Sequence, residues 1–370
     1  MIQVRAVTSR QERRAFLEFP YARYRDDVHW VPPLRMTERA RLDPRRNPFF
    51  EHADAELFLA VRDGRTCGRI AAIDDRRHQE IHRDGAAAFG FFEATDAEAA
   101  RAVLAAAEQF ARARGRRTLR GPMNPSLNDS AGILIDGFDS DPMVMMPYNP
   151  PAYAAYLEQA GYVKAKDLWA WIFDARSMPP VAAQYQTTLD RLRARQRVVF
   201  GRFDARDFER QLTTFWHIYC RAWEGNWGFV PPTEREFTHL ARQLKQIVDP
   251  RFTITAEVDG MPVGCAVAVP DINQVLQGCR GRLLWAFMRF LRRHTIVTQC
   301  RLVLLGLLPE YRQRGVLLLL VDELYRRSRG TRYERVECSW VLEDNRDVNG
   351  PAETIGGRRY KTYRVFEKGL

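Results

Sequence analysis

Two periodicities alternate along the chain. Branched, apolar runs at 254–258 and 263–269 flank Asp259-Gly260, a pair that accepts the positive φ of a tight turn, so a hairpin is predicted there. Runs at 58–61 and 68–73 around Asp63-Gly64 repeat the device. Helical spacing takes over at 97–115, with Asp96 placed to cap the first turn and Gly115 to end the last. It returns at 316–329, before Gly330. Ahead of that second long helix, the apolar run 302–308 predicts a buried strand, which enters the helix through Pro309 and Gly315.

The same pattern is written twice. Asp63, Gly64, Gly68 and Asp75 match Asp259, Gly260, Gly264 and Asp271 at a constant spacing of 196. Glu158, Gly161 and Lys166 match Glu353, Gly356 and Lys361 at 195. Tyr24 with Trp30, Val31, Pro32 and Pro33 likewise resembles Tyr219 with Trp227, Val230, Pro231 and Pro232. Constant spacing over about a hundred residues per half implies a tandem duplication of one fold. The expected domains are 1–176 and 186–370, joined by a linker at 177–185 where Ser177-Met178-Pro179-Pro180 breaks regular structure.

Composition narrows the class. With 370 residues and 46% hydrophobic content, the chain has material for two cores. Six cysteines stand far apart, without a CxxC pair, so reduced thiols are expected and no metal site is. His78 and His82 share helical spacing but lack a third ligand signal. The start, MIQVRAV, lacks the succession of a secretory signal, and a cytoplasmic location is expected. The net charge of +11 comes from 52 arginines and 5 lysines spread along the chain, so a nucleic-acid partner is not expected.

A strand that runs through a glycine turn into a helix points free amides and the positive end of a helix dipole outward, which suits a phosphate. Here that turn is Arg312-Gln313-Arg314-Gly315-Val316-Leu317. It is followed by a strand ending in Glu343-Asp344-Asn345, then Glu353-Thr354-Ile355-Gly356. The succession resembles the GNAT superfamily of acyl-CoA-dependent N-acyltransferases. The resemblance implies an α+β fold with a mixed sheet, duplicated in this chain, and acetyl-CoA or a longer acyl-CoA as cosubstrate with an amine-bearing acceptor. Leu317 departs from the family's small residue and could crowd a diphosphate. The first copy lacks the turn: Glu93, Asp96 and Glu98 stand where an anion should bind. The second copy is therefore expected to hold the donor alone.

The resemblance also distributes roles. Backbone groups near Gly306, Leu307 and Leu308 would orient the thioester, while Arg312, Gln313, Arg314, Gly315 and Val316 would take the diphosphate and Asn345 would flank the pantetheine arm. For the general base the candidates are Glu343, Glu224 and Asp271; for the acid, Tyr363 or Tyr360. Trp227, Asp271 and Asn273 would border the acceptor. Three alternatives stay open: a silent CoA- or anion-binding protein, a fatty-acyl lipid N-acyltransferase, and an aminoacyl transferase. Finally, 280–294 sets Leu283, Leu284, Trp285, Phe287, Met288, Phe290 and Leu291 among basic residues. It reads as a helix packed between the copies, with peripheral membrane contact as the alternative.

Overall fold

The computed structural model describes residues 1–174 and 181–370. The first copy opens with β1 (Ile2–Ala6), α1 (Arg10–Arg23) and α2 (Arg35–Arg41). The hairpin β2 (Ala53–Arg62) and β3 (Arg65–Asp75) leads to the short α3 (Arg76–His82). Next come β4 (Ala86–Ala94), α4 (Ala97–Ala113), β5 (Thr118–Gly121), β6 (Ile133–Asp136), α5 (Ala152–Gln159) and β7 (Val163–Asp174). The expected seam at 176–180 lies outside the described residues, and 181–185 already belong to α6 (Val181–Gln196).

The second copy follows the same order: β8 (Val198–Phe200), α7 (Phe208–Trp223), α8 (Glu234–Leu244), then the hairpin β9 (Thr253–Val258) and β10 (Met261–Pro270). An insertion follows, with α9 (Asn273–Leu276), α10 (Leu283–Leu291) and α11 (Arg293–Ile296). The copy resumes with β11 (Gln299–Leu307), α12 (Val316–Ser328), β12 (Arg335–Leu342), α13 (Arg346–Thr354) and β13 (Arg358–Gly369). This is a tandem duplication of an α+β fold built on mixed sheets.

Local chemistry explains the elements. Asp63 and Gly64 have φ of 51° and 75°, Asp259 and Gly260 51° and 79°, so both hairpins close on two consecutive left-handed residues. Asp96 accepts from the Ala99 amide and caps α4 as expected. Ser9 and Glu12 form a reciprocal capping box on α1, and Thr233 and Glu236 do the same on α8.

The chain divides into two compact units that do not follow chain order. The first comprises Met1–Leu168, Leu276–Arg289 and Lys361–Leu370; the second comprises Trp169–Val275 and Phe290–Tyr360. Strand order in the first is β1-β2-β3-β4-β5-β13, with β6 also on β13; in the second it is β7-β12-β11-β10-β9-β8. Each copy thus gives most of its final strand, or its end, to the unit built mainly from the other. In the first unit, Ile70, Phe89, Val103, Leu104 and Phe366 form one apolar core. In the second, Ile254, Ala266, Val316 and Leu320 pack beneath α12, while Phe215, Ile218, Cys265 and Leu304 pack beneath α7.

The feature that positions the site is a pair of parallel strands that part. In the first unit, β4 and β5 are paired only at Ala86–Ala88 and Thr118–Arg120. A polar loop then closes the gap: the Met123 amide donates to Phe89 O at 2.7 Å, and the Phe91 amide donates to Asn124 Oδ1 at 2.5 Å. Gly90 permits this approach, since a Cβ there would stand 1.7 Å from Met123 O. In the second unit, β11 and β12 are paired from Gln299–Leu302 to Arg335–Cys338, and the ladder ends there, leaving 303–307 and 339–342 to diverge.

Candidate functional site

Charged side chains occupy the closed end of the β11–β12 fork. Arg301 and Glu337 face each other in register, and their side chains are only 3% and 0% exposed. The Arg301 Nε donates to Ser339 Oγ at 2.8 Å and its Nη2 to Ser339 O at 3.1 Å. Ser339 Oγ in turn donates to Glu337 Oε1, and the Tyr360 hydroxyl donates to Glu337 Oε2. Arg301 lies 3.4 Å from Glu337 and over the Trp340 ring. Burying this set is tolerable only because each charge meets a partner. It is a continuous hydrogen-bonded chain that links a half-buried phenol, a buried carboxylate and a buried guanidinium.

Cys338 ends the paired ladder, and burial, then the Glu337 carboxylate, pushes its thiol up to about 12. A thiol raised in this way stays neutral at physiological pH.

At the open end, Gly306 lies under Trp223 of α7; a Cβ there would meet the indole at 2.4 Å. Leu307 is buried in the core beneath α12, and the Leu308 amide donates to Val263 O. Gly315 sits in the left-handed region at φ 77° and starts α12, whose first turn no side chain caps. Val316 is fully buried below it. Leu317 also packs against that core, so it does not plug the turn. The residue over Gly315 is Leu192 of α6, whose methyl carbons would stand 2.7–2.8 Å from a Cβ at 315. α6 is held there by Leu189 against Leu319 and by Arg193 paired with Asp322.

Arg312, Gln313 and Arg314 are exposed on the turn. Arg312 also donates to Ala222 O at 2.6 Å, at the end of α7, while Arg314 stacks over Tyr311. Asn345 begins α13, and its carbonyl accepts from the Asn349 amide. Asn349, which sequence reasoning passed over, is the buried one: it accepts from Trp171 Nε1 and donates to Leu342 O and Glu343 O. Glu343 is half-buried at the end of β12, and Glu224 is exposed just past Trp223, 3.9 Å from Arg221.

Three expected residues lie away from the open end of the fork or in the other unit. Asp271 is buried beside the start of β11, its amide bonded to Gln299 O, and Asn273 follows it in α9. Along β11 the distance from Gln299 to Leu307 is roughly 26 Å at the usual strand rise. Tyr363 belongs to the first unit, fully buried and paired with Leu134 of β6. Of the two candidate tyrosines, Tyr360 is the one that counts with the second unit. Trp227 is half-buried beyond the end of α7. Glu337 was missed because it sits in an alternating strand; the signal was a pair of opposite charges at inward positions of two apolar strands.

The first copy's acids are engaged internally. Asp96 and Glu98 both pair with Arg62, the Asp96 bond at 2.7 Å holding that carboxyl below its usual range. Glu93 accepts from Tyr24 at 2.6 Å and Tyr153 at 2.7 Å, and burial pushes its carboxyl up against the pull of Arg69. Tyr24 stacks on Trp30 at 5.0 Å, so the first Trp-Pro-Pro element braces this buried cluster.

No family model matches the chain. It is 36% identical over 378 residues to "Bacterial ceramide synthase" of Caulobacter vibrioides, covering 100% of this chain and 98% of that one. It is 32% identical over 377 residues to "Protein YghO" of Escherichia coli, covering 99% and 95%. Among solved structures, a tandem GNAT protein from the clavulanic acid biosynthesis pathway aligns at TM-score 0.57 with 13% identity, covering 100% of this chain and 98% of that one. A GCN5-related N-acetyltransferase from Anabaena variabilis aligns at 0.54 with 10% identity, covering 100% and 72%. The fold is the duplicated GNAT fold.

Proposed function

Since the chain belongs to the family that holds the bacterial ceramide synthase of Caulobacter vibrioides and YghO of Escherichia coli, we propose that it is an acyl-CoA-dependent N-acyltransferase. A ceramide is a fatty amide of a long-chain amino alcohol, so the donor in this reading is a long-chain acyl-CoA and the acceptor an amphipathic primary amine. One observation carries the reading: β11 and β12 part beside a buried Arg301–Glu337–Tyr360 set, whereas the equivalent gap in the first unit is filled.

Thioester aminolysis requires an uncharged amine, a polarised carbonyl and a proton for the leaving thiolate. In this reading the diverging strands take the pantetheine arm, and the start of α12 with Arg312, Gln313 and Arg314 takes the diphosphate. Amides of the stretch of β11 that β12 leaves unpaired, beginning at Val303 next to the Arg301–Glu337 pair, orient the carbonyl. The amine nitrogen forms the new amide bond as the carbon–sulfur bond breaks. Tyr360 supplies the thiolate's proton and Glu337 holds the phenol in place; Glu343 and Glu224, nearer the open end, are left as candidates to take the amine's proton. Tyr360→Phe is expected to lower kcat by about 10²–10⁴, the range of a lost general acid, and to cost about 1.5–3 kcal/mol of stability, because the buried Glu337 carboxylate loses one hydrogen bond. Tyr363→Phe should leave kcat within twofold. Stopped-flow thiol release on both variants decides between the two tyrosines.

The test of the function is thiol release from palmitoyl-CoA and acetyl-CoA, each with and without a long-chain amino alcohol. Release that needs the amine and favours the long donor supports the reading. Release with neither donor removes it and leaves a silent binding protein. That alternative is favoured by Leu192 lying over Gly315. A bound diphosphate needs that side chain to move, so Leu192→Ala is expected to tighten CoA binding several-fold by calorimetry.

A further inference from the structure

Helix α10 presents its apolar residues outward. Leu283, Leu284, Trp285, Phe287, Met288 and Leu291 are 46–70% exposed, while Ala286 is 4% exposed and Phe290 is half-buried. At 100° per residue, Leu283, Leu284, Phe287, Met288 and Leu291 fall within one sector of about 140°, and Ala286 and Arg289 fall outside it on the far side. The expected packed helix would have turned this sector inward; here it faces solvent. The bare apolar area is on the order of 600 Å², the size at which a surface patch marks an interaction.

The way into the helix is fixed. Arg35 Nη1 donates to Arg280 O at 2.8 Å, Gln277 Nε2 donates to Val28 O at 2.7 Å, and Gly281 packs under Tyr21 where a Cβ would clash. Along the chain its charge has one sign. Arg280, Arg282, Arg292 and Arg293 flank the helix at its two ends, and no Asp or Glu stands between Asp271 and Glu310 in the sequence.

We propose that α10 docks the protein on an anionic lipid bilayer, its apolar stripe entering the headgroup–acyl boundary and its arginines meeting lipid phosphates. A helix of this kind lies in the interface plane, sunk by about 5–10 Å, and draws on apolar burial and on attraction to anionic lipid together. Trp285, on the flank of the stripe, falls at the headgroup level that indoles prefer. A second copy of the chain is the poorer occupant, because a symmetric contact through α10 would bring the two arginine sets together without an acid between them. The inference goes beyond the acyl-transfer reading and stands without it.

Co-sedimentation with vesicles tests it, using the full chain with phosphatidylcholine alone or with 30% phosphatidylglycerol. The wild type is expected to bind the anionic vesicles at least tenfold more tightly than the neutral ones and to lose that preference in high salt. Trp285 emission, taken as the difference from Trp285→Phe, should shift to the blue. The double variant Leu284→Glu with Phe287→Glu should bind at least tenfold more weakly. Arg282→Glu with Arg292→Glu should lose the anionic preference, and it serves as the deciding variant if the first pair misfolds by circular dichroism. Wild-type binding to neither vesicle, or binding indifferent to these substitutions, overturns the proposal. So does a dimer that dissociates in the Leu284→Glu, Phe287→Glu variant without vesicle binding, which would assign the face to a second copy.

Discussion

Arg301→Met is expected to destabilise the protein by about 3–5 kcal/mol, the usual cost of leaving one member of a buried ion pair alone. Glu337 is fully buried, and without the guanidinium its carboxylate keeps only the Ser339 and Tyr360 hydroxyls. Ser339 would lose both of its bonds from Arg301 as well. Urea unfolding followed by circular dichroism reads the shift. Arg301→Met combined with Glu337→Leu should recover much of the loss, because two apolar side chains leave no unpaired charge. A recovered fold that has lost acyl transfer would separate the cluster's chemistry from its contribution to stability. A single variant as stable as the wild type would show that the pair is not buried as described.

Gly90→Ala is the second large effect and falls in the first unit. The added methyl would stand 1.7 Å from Met123 O and 2.8 Å from Met123 C, both backbone atoms that cannot swing aside. The 121–131 loop would have to leave the gap between β4 and β5, breaking the Met123–Phe89 and Phe91–Asn124 bonds. A loss of more than about 4 kcal/mol, or insoluble expression, is expected, in the range reserved for overpacking and broken buried hydrogen bonds. Gly64→Ala, in a turn open to solvent, should cost far less despite its φ of 75°. Parallel thermal melts of the two variants give the comparison.

What the sequence disclosed was local or repeated. Asp-Gly turns, the Asp96 cap and the constant spacing of the two copies all rest on residues close together, or on a register that survived duplication. The exchange of final strands was hidden because spacing identifies a strand as a copy without saying which neighbour it pairs with; 361–370 count with the first unit for that reason. Tyr360 and Tyr363 were indistinguishable as aromatics in one strand, yet an odd separation puts them on opposite faces. Arg312 looked like a free phosphate ligand, but its guanidinium also reaches Ala222 O. Leu317 drew attention as the obstruction at the turn, whereas Leu192, from a helix without a motif, covers Gly315. Asp271 and Asn273 matched the first copy's register but lie at the far end of β11 from the opening.

The central claim is that the second unit alone takes the acyl-CoA, at the start of α12 and between the parted strands. Isothermal titration of CoA into the wild type and into Gly315→Glu tests it most directly, since a carboxylate at that turn adds both bulk and like charge where the diphosphate would sit. One site per chain in the wild type, weakened at least a hundredfold by Gly315→Glu, is the predicted result. Two equal sites, or one site that Gly315→Glu leaves unchanged, would contradict it.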